Sequence, residues 1–201
     1  MKNFYQTKVF FPWMDRVLRN PEIGDFRSRL LASVSGKTLE IGFGTGLNLP
    51  YYSENLDSII AIDPNHWKLI NSSNKPAFEF YKMKAEDLDF PDSTFDTVVS
   101  TFTLCSVKDL NQVLDEIYRV LKPGGRFLFL EHGKSWIKPF TTIQNIANPF
   151  FRVFAAGCNV NRDIEKELTS RGYCIYQVEH IRFQRQIISG FYYLGVAAKN
   201  N

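Results

Sequence analysis

Three glycines that follow a short apolar run are the first residues in this chain whose spacing suggests chemistry. The run is residues 38–41 (TLEI), and Gly42, Gly44 and Gly46 come directly after it. A buried strand that ends in such a turn leaves peptide N–H groups without side-chain cover, so a ligand can lie against them. A dinucleotide-binding turn, G-x-G-x-x-G, would need glycine at Leu47, which weakens a nicotinamide or flavin interpretation. An ordinary tight turn between a strand and a helix remains the alternative.

An acidic residue marks the end of the next β-rich run. Residues 58–62 (SIIAI) predict a strand, and Asp63 follows at its carboxyl end, just before Pro64. Ligands of open α/β sheets bind outside the carboxyl ends of the strands, where a carboxylate can accept hydrogen bonds from two ribose hydroxyls. The alternative is that Asp63 only caps a helix after Pro64.

These features, together with two others, resemble a known family. The motif E-x-G-x-G-x-G spans residues 40–46, F-D-T-V-V-S spans 95–100, and L-K-P-G-G-x-F spans 121–127. Together they resemble class I S-adenosylmethionine-dependent methyltransferases, including the ubiquinone/menaquinone and phospholipid methyltransferase groups. The resemblance implies that S-adenosylmethionine is the cofactor, that the glycine turn packs against its methionyl part, and that Glu40 lies near its amino group.

The same resemblance assigns further cofactor contacts. Glu86 or Asp87, after the third strand, would hold the adenine ring, although solvated loop acids are the alternative for each. The remaining cofactor-binding residues that the resemblance implies are Pro64, Ala85, Thr101 and Leu104.

A histidine at the end of the fifth strand is the candidate catalytic residue. His132 stands in E-H-G at 131–133, where an imidazole could take a proton from a substrate hydroxyl, thiol or amine. A hydrogen bond to backbone near the cofactor is the alternative. Cys105 is interpreted as a small wall residue, because methyl transfer from a sulfonium needs no covalent intermediate. L-C-S-V at 104–107, E-H-G and G-C-N-x-x-R at 157–162 resemble the membrane-associated proteins whose characterised members methylate thiols.

The fold expected from these motifs is a single α/β methyltransferase domain over residues 1–201. It would be Rossmann-like, with a seven-stranded, mostly parallel sheet, an antiparallel final hairpin and helices on both faces. Residues 1–34 predict helical cover that Pro12 and Pro21 break into pieces. Further helices are expected at 47–52, 65–71 and 109–121, and after 157, where Asn161 is the expected cap. The strand after the Lys-Pro-Gly-Gly turn is expected to begin at residue 126.

Residues 134–157 depart from a minimal fold. Aromatic and aliphatic side chains alternate there with Lys134, Lys138 and Arg152, and prolines at 139 and 149 predict short helices. We expect an aromatic lid over the substrate, with possible peripheral membrane contact. Extra core packing is the alternative.

Charge and composition indicate which classes of partner the protein is suited to bind. The formal net charge is +3 and aromatic residues make up 15% of the chain, which disfavours nucleic acid and suits a small apolar substrate. The three cysteines are odd in number and lack C-x-x-C spacing, so the sequence indicates neither a metal site nor disulfides, and a cytoplasmic setting is the simplest interpretation. The oligomeric state stays open.

Two functions from other classes also stay open. One is a catalytically silent cofactor-binding module that acts as a subunit or scaffold. The other is an NAD-dependent enzyme, against which Leu47 argues.

Overall fold

A seven-stranded sheet forms the centre of the described part of the chain. The structure, a computed structural model, describes residues 4–56, 58–65 and 76–200. The strands are β1 Thr38–Ile41, β2 Ser58–Ile62, β3 Ala77–Tyr81, β4 Phe95–Thr101, β5 Leu121–His132, β6 Tyr173–Arg182 and β7 Phe191–Lys199. Their order is β3-β2-β1-β4-β5-β7-β6, with β7 antiparallel to both β5 and β6 and the other pairs parallel. This confirms the predicted fold class and the antiparallel end.

Helices cover both faces of this sheet. They are α1 Phe11–Leu18, α2 Pro21–Leu31, α3 Leu110–Val120, α4 Lys138–Phe154 and α5 Ile164–Ser170. Alternate β5 residues point to opposite faces. Phe127 and Phe129 pack in the core cluster that contains α3 and α5 residues, whereas Leu128 and Leu130 pack in the cluster that contains α2 residues. The sheet is therefore buried on two sides, and its strand ends are left to carry ligand groups.

Proline positions explain two differences from the sequence predictions. A π-helical turn, Gln6–Phe10, runs directly into α1, because Pro12 lies in the first turn of that helix, where a missing N–H costs little. α4 is continuous although Pro149 lies inside it, since a proline removes one helical hydrogen bond without ending every such helix. The predictions of a break at Pro12 and of two short helices in the lid were wrong.

Three further elements differ from the sequence predictions in type or in bounds. The segment after the glycine turn forms only the 3-10 turn Leu49–Tyr51. α5 begins at Ile164, and Asp163, not Asn161, caps it by accepting from the Lys166 N–H. β5 begins at Leu121 and contains a register shift, because Leu121 lies opposite Phe95 and Arg126 opposite Thr97. The helix predicted at 65–71 lies almost wholly outside the described residues.

Helix length and hydropathy bear on membrane crossing in the same part of the chain. None of its helices combines the length and the apolar character that a bilayer span needs.

Candidate functional site

The carboxyl ends of β1, β2, β4 and β5 open onto one large cavity. Its volume is about 1560 Å³. The predicted site residues that line it are Glu40, Gly42, Gly44, Asp63, Pro64, Ala85, Glu86, Asp87, Thr101 and His132. Gly46 and Leu104 are set back from it. The Gly46 N–H closes the turn by donating to Phe43 O, and Leu104 is fully buried in the core.

The two glycines that line the cavity are needed for different reasons. Both have positive φ, +70° at Gly42 and +56° at Gly44. A Cβ at Gly42 would lie 1.9 Å from Thr103 Oγ1, so the protein's own packing demands glycine there. A Cβ at Gly44 would meet no atom closer than Gly42 O, at 3.9 Å. Gly44 therefore leaves open space that a ligand can fill.

Asp63 ties the end of β2 to the glycine turn. Its Oδ2 accepts from the Gly44 N–H at 3.1 Å. Its Oδ1 accepts from the Asn65 N–H at 2.8 Å and from Asn65 Nδ2 at 3.0 Å. A carboxylate has about four lone-pair sites, so Asp63 can make these bonds and still accept from a ligand.

A buried polar network lies beside the glycine turn. The Glu40 carboxylate accepts from Tyr52 Oη at 2.7 Å and from Asn48 Nδ2 at 3.0 Å. The Arg27 guanidinium, from α2, donates to Asn48 Oδ1 and to Thr101 Oγ1. Burial raises the pKa of Glu40 to about 7 and lowers the pKa of Arg27 to about 10.

One nitrogen of the Arg27 guanidinium makes no hydrogen bond to the described residues. This nitrogen is Nε, which is buried. Arg27 and Glu40 both line the cavity, so one wall offers a cation and a carboxylate together. Such a pair suits a ligand that carries both an ammonium and a carboxylate group. The sequence analysis missed Arg27, because an arginine within a helical cover gives no local signal of its role.

The predicted adenine-binding acids lie on the turn after β3. Glu86 Oε1 accepts from the Lys108 N–H at 2.8 Å and so links this turn to the loop before α3. Asp87 is exposed and lines the cavity, and its side chain makes no hydrogen bond to any other described residue. Of the two, Asp87 is thus the freer to contact a ligand.

A cluster of two thiols and an imidazole lies at the far end of the cavity. Cys105, His132 and Cys158 all line it, and their sulfur and ring nitrogen atoms lie within 4.8 Å of one another. His132 Nε2 is 3.1 Å from Cys158 Sγ, and His132 Nδ1 is buried without a partner among the described residues. The fold brings together residues that are 26 to 53 positions apart. The sequence analysis placed His132 at the site as a catalytic residue and Cys105 as a wall residue, but gave Cys158 no place there.

The electrostatics of this cluster are coupled. A hydrogen bond from Cys158 lowers the pKa of Cys105 well below its ordinary value, and the same bond raises the pKa of Cys158. Burial opposes protonation of His132, but the charge and the hydrogen bond of Cys105 and the charge of Glu131 together raise the His132 pKa.

Glu131 lies next to this cluster in the chain. Its Oε1 accepts from Ser100 Oγ at 2.6 Å and from the Thr103 N–H at 3.0 Å, which fixes the loop after β4. Burial raises its pKa to about 7.

Comparisons with known proteins agree with this geometry. Residues 39–129 match the family described as "Methyltransferase domain". The human protein named Thiol S-methyltransferase TMT1A is 33% identical over 195 residues, covering 87% of this chain and 80% of the relative. A Cereibacter sphaeroides protein named phosphatidylethanolamine N-methyltransferase is 39% identical over 116 residues, covering 53% of this chain and 57% of the relative.

A solved structure shares the fold. The N-methyltransferase NodS from Bradyrhizobium japonicum superposes with a TM-score of 0.67 at 14% identity, covering 93% of this chain and 99% of that one. The similarity to human TMT1A extends over most of both chains, and the sheet order and the glycine turn agree with it. The chain therefore belongs to the class I S-adenosylmethionine-dependent methyltransferase family.

Proposed function

We propose that this protein transfers the methyl group of S-adenosylmethionine to a small, apolar or lipid-like acceptor that carries a thiol, amine or quinone-type nucleophile. The observation that carries the proposal is that Arg27, Glu40, the uncovered glycine turn and Asp63 at the end of β2 all line one cavity. Bound there, S-adenosylmethionine supplies an electrophilic methyl group on its sulfonium sulfur.

The residues present fit this cofactor group by group. Glu40 would face its ammonium, and the unpartnered Nε of Arg27 would donate to its carboxylate. The open space at Gly44 would admit the methionyl part of the cofactor close to the turn, and the remaining acceptor site of Asp63 would accept from a ribose hydroxyl. Asp87 or Glu86 would accept from the adenine amine. These residues bind and orient, and orientation is the main requirement because the sulfonium is already a good leaving group.

The acceptor would enter from the other end of the cavity. Apolar side chains there include Phe151, Ala155 and Ile188, which suits an apolar acceptor. His132 is the candidate group to take the acceptor's proton, since it lines this end of the cavity and an imidazole can accept a proton near neutral pH. The names of the human and C. sphaeroides relatives, a thiol and a phospholipid amine methyltransferase, support this acceptor range.

We also propose peripheral membrane contact through an apolar surface beside the cavity, on a protein that works in the cytoplasm. The surface, which we call the lid surface, consists of exposed α4 and N-terminal side chains: Phe4, Val9, Trp13, Ile146, Phe150, Val153 and Phe154. A shallow groove joins the two segments, and it shares Phe10, Trp13, Phe151 and Ala155 with the cavity wall. A lipid-like acceptor could thus pass from a membrane to the site.

The competing function is a cofactor-binding module without activity of its own. It would bind S-adenosylmethionine equally well, so binding cannot separate the two. Demethylated cofactor formed with small thiols or aminophospholipids would establish the enzyme, and its absence across both acceptor groups would favour the module.

The test of the cofactor site is calorimetric titration with S-adenosylmethionine and with its demethylated product. We expect micromolar binding to the wild type and a loss of about 10- to 100-fold in Asp63→Ala, since a hydrogen bond to a charged group is worth about 1.5 to 3 kcal/mol. Asp89→Ala is the control, because Asp89 is an exposed acid in the segment after β3 that does not line the cavity. Equal affinity in both variants would refute the assignment.

A further inference from the structure

We propose that Cys105, His132 and Cys158 bind a thiophilic divalent cation such as Zn²⁺, which would hold a thiol acceptor as its thiolate. The proposal rests on the proposed function for the identity of the second substrate. The metal site itself does not depend on it, and nothing in the sequence spacing pointed to it.

The geometry of the three side chains is close to that of a zinc site. Zinc lies about 2.3 Å from sulfur and about 2.0 Å from nitrogen, so tetrahedral ligands lie about 3.4 to 3.8 Å apart. In the structure His132 Nε2 and Cys158 Sγ are 3.1 Å apart, and the three ligand atoms fall within 4.8 Å of one another. Shifts of about 1 Å or less would bring them to coordination distances.

The two loops that carry the cysteines are held against each other. Asn159, next to Cys158, donates to Cys105 O through its backbone N–H at 2.7 Å and through Nδ2 at 3.2 Å. Arg162 donates to the carbonyl groups of Leu104 and Val107, on either side of Cys105. The backbone that carries both cysteines is thus held by contacts outside the cluster, as expected of metal ligands positioned before the ion binds.

The ligand types select the ion. Two thiols and one imidazole are soft to intermediate ligands that suit zinc and disfavour magnesium or calcium. Three protein ligands that leave a fourth position open to a cavity are the pattern of catalytic zinc sites, of which Cys₂His is one form. Two thiolates also neutralise the charge of a divalent ion in a buried place.

The open position has a chemical consequence. A thiol that coordinates the ion loses its proton, which leaves to solvent through the cavity, while the sulfur keeps its lone pair for attack. His132 would then be a ligand instead of a base. Among the proposed acceptors, this site favours a thiol over an amine or a quinone.

Cobalt substitution tests the site without relying on activity. Metal-free, reduced protein is titrated with Co²⁺, and we expect one equivalent to give an intense thiolate-to-cobalt charge-transfer absorption and the visible bands of a tetrahedral ion. Cys105→Ser and Cys158→Ser should weaken binding by more than about 100-fold, since changes outside the ligand shell alone cost 10- to 100-fold. Cys174→Ser is the matched control, because Cys174 is the exposed cysteine on β6. Binding without the charge-transfer band, or a band equally reduced in Cys174→Ser, would overturn the site.

A second measurement needs no variant. Wild-type protein is alkylated with iodoacetamide with and without Zn²⁺, and the modified cysteines are identified by mass spectrometry. Zinc should slow modification of Cys105 and Cys158 at least tenfold and leave Cys174 unchanged. Equal rates with and without zinc would refute the site even if a serine variant failed to fold.

The same samples separate this proposal from the proposed function. Metal-free protein should still bind S-adenosylmethionine, because the glycine turn and the Glu40 network share no hydrogen bond with the cluster. Cofactor binding without a cobalt site would refute only the metal proposal. A cobalt site without cofactor binding would refute the proposed function instead.

Discussion

Alanine substitutions at Gly42 and Gly44 should separate the two reasons for glycine in the turn after β1. Both positions have positive φ, so alanine costs each about 1 to 2 kcal/mol of folding free energy. At Gly44 nothing is added to that cost, since the new Cβ would have open space around it. For a chain of this length we expect the melting temperature of Gly44→Ala to fall by about 2 to 8 °C.

The two variants should differ in the opposite sense in cofactor affinity, with the larger direct loss in Gly44→Ala. The Cβ of Gly44→Ala would occupy cavity space that S-adenosylmethionine needs, and crowding of this kind costs about 1 to 3 kcal/mol, or about 5- to 150-fold in affinity. The Cβ of Gly42→Ala would instead collide with Thr103, whose Oγ1, Cγ2 and Cβ atoms lie at 1.9, 2.5 and 2.7 Å. Rotation of the Thr103 side chain cannot remove the contact with its Cβ. We therefore expect Gly42→Ala to lose at least about 3 kcal/mol of stability.

The assays are urea unfolding of the free protein and calorimetric titration with S-adenosylmethionine. Thr103→Ala in the Gly42→Ala background is the control, because it removes the two nearest colliding atoms and should restore about 1 kcal/mol or more. The reasoning fails if Gly44→Ala binds the cofactor as tightly as the wild type. It also fails if the two single variants are equally unstable.

Three further predictions concern other parts of the site. In the proposed site the carboxylate form of Glu40 would bind the cofactor ammonium, and burial raises the pKa of Glu40 to about 7. Affinity should therefore rise as the pH rises from about 6 to about 7.5, and Glu40→Gln should bind more weakly without this slope. His132→Ala should slow turnover by about 10² to 10⁴ in steady-state assays with little change in cofactor affinity; an unchanged rate would remove His132 from the chemistry. Phe150→Glu should reduce cosedimentation with anionic vesicles several-fold, whereas Tyr176→Glu, at an equally exposed aromatic residue on β6, should not.

Local patterns in the sequence were sufficient for the sheet. Each strand from β1 to β4 is a β-rich run with a turn or an acid at its end, and the length and alternation of such runs are local properties. The predicted bounds of β2 match the structure, and α3 begins one residue after its predicted start, where Asp109 caps it. The start of α5 was predicted less well, because Asn161 and Asp163 are equally good cap residues in isolation. Tertiary contacts decide between them, since Asn161 bonds Asn145 and Asp163 caps the helix.

The site itself was predictable where a motif or the end of a predicted strand marks its residues. The glycine turn and Glu40 are adjacent in the chain, so their meeting is guaranteed by local geometry. Arg27 reaches the cavity through the packing of α2, and nothing in its own surroundings in the sequence indicates that packing. Cys158 reaches it through the loop after α4, and the motif around it at 157–162 did not indicate its contact with His132. Long-range contacts of this kind need the fold before they can be named.

The sheet order explains why the cavity has two chemically different ends. β1 and β2 are neighbours, so Glu40, the glycine turn and Asp63 gather at one end and offer charged groups and bare N–H groups. β4 and β5 are also neighbours, and the segments that follow them carry Cys105 and His132 to the other end. The two groups share no hydrogen bond among the described residues, while β1 pairs directly with β4 and so fixes the spacing between them. A rigid spacing of this kind is what an in-line transfer between two bound molecules requires, because orientation supplies most of the acceleration.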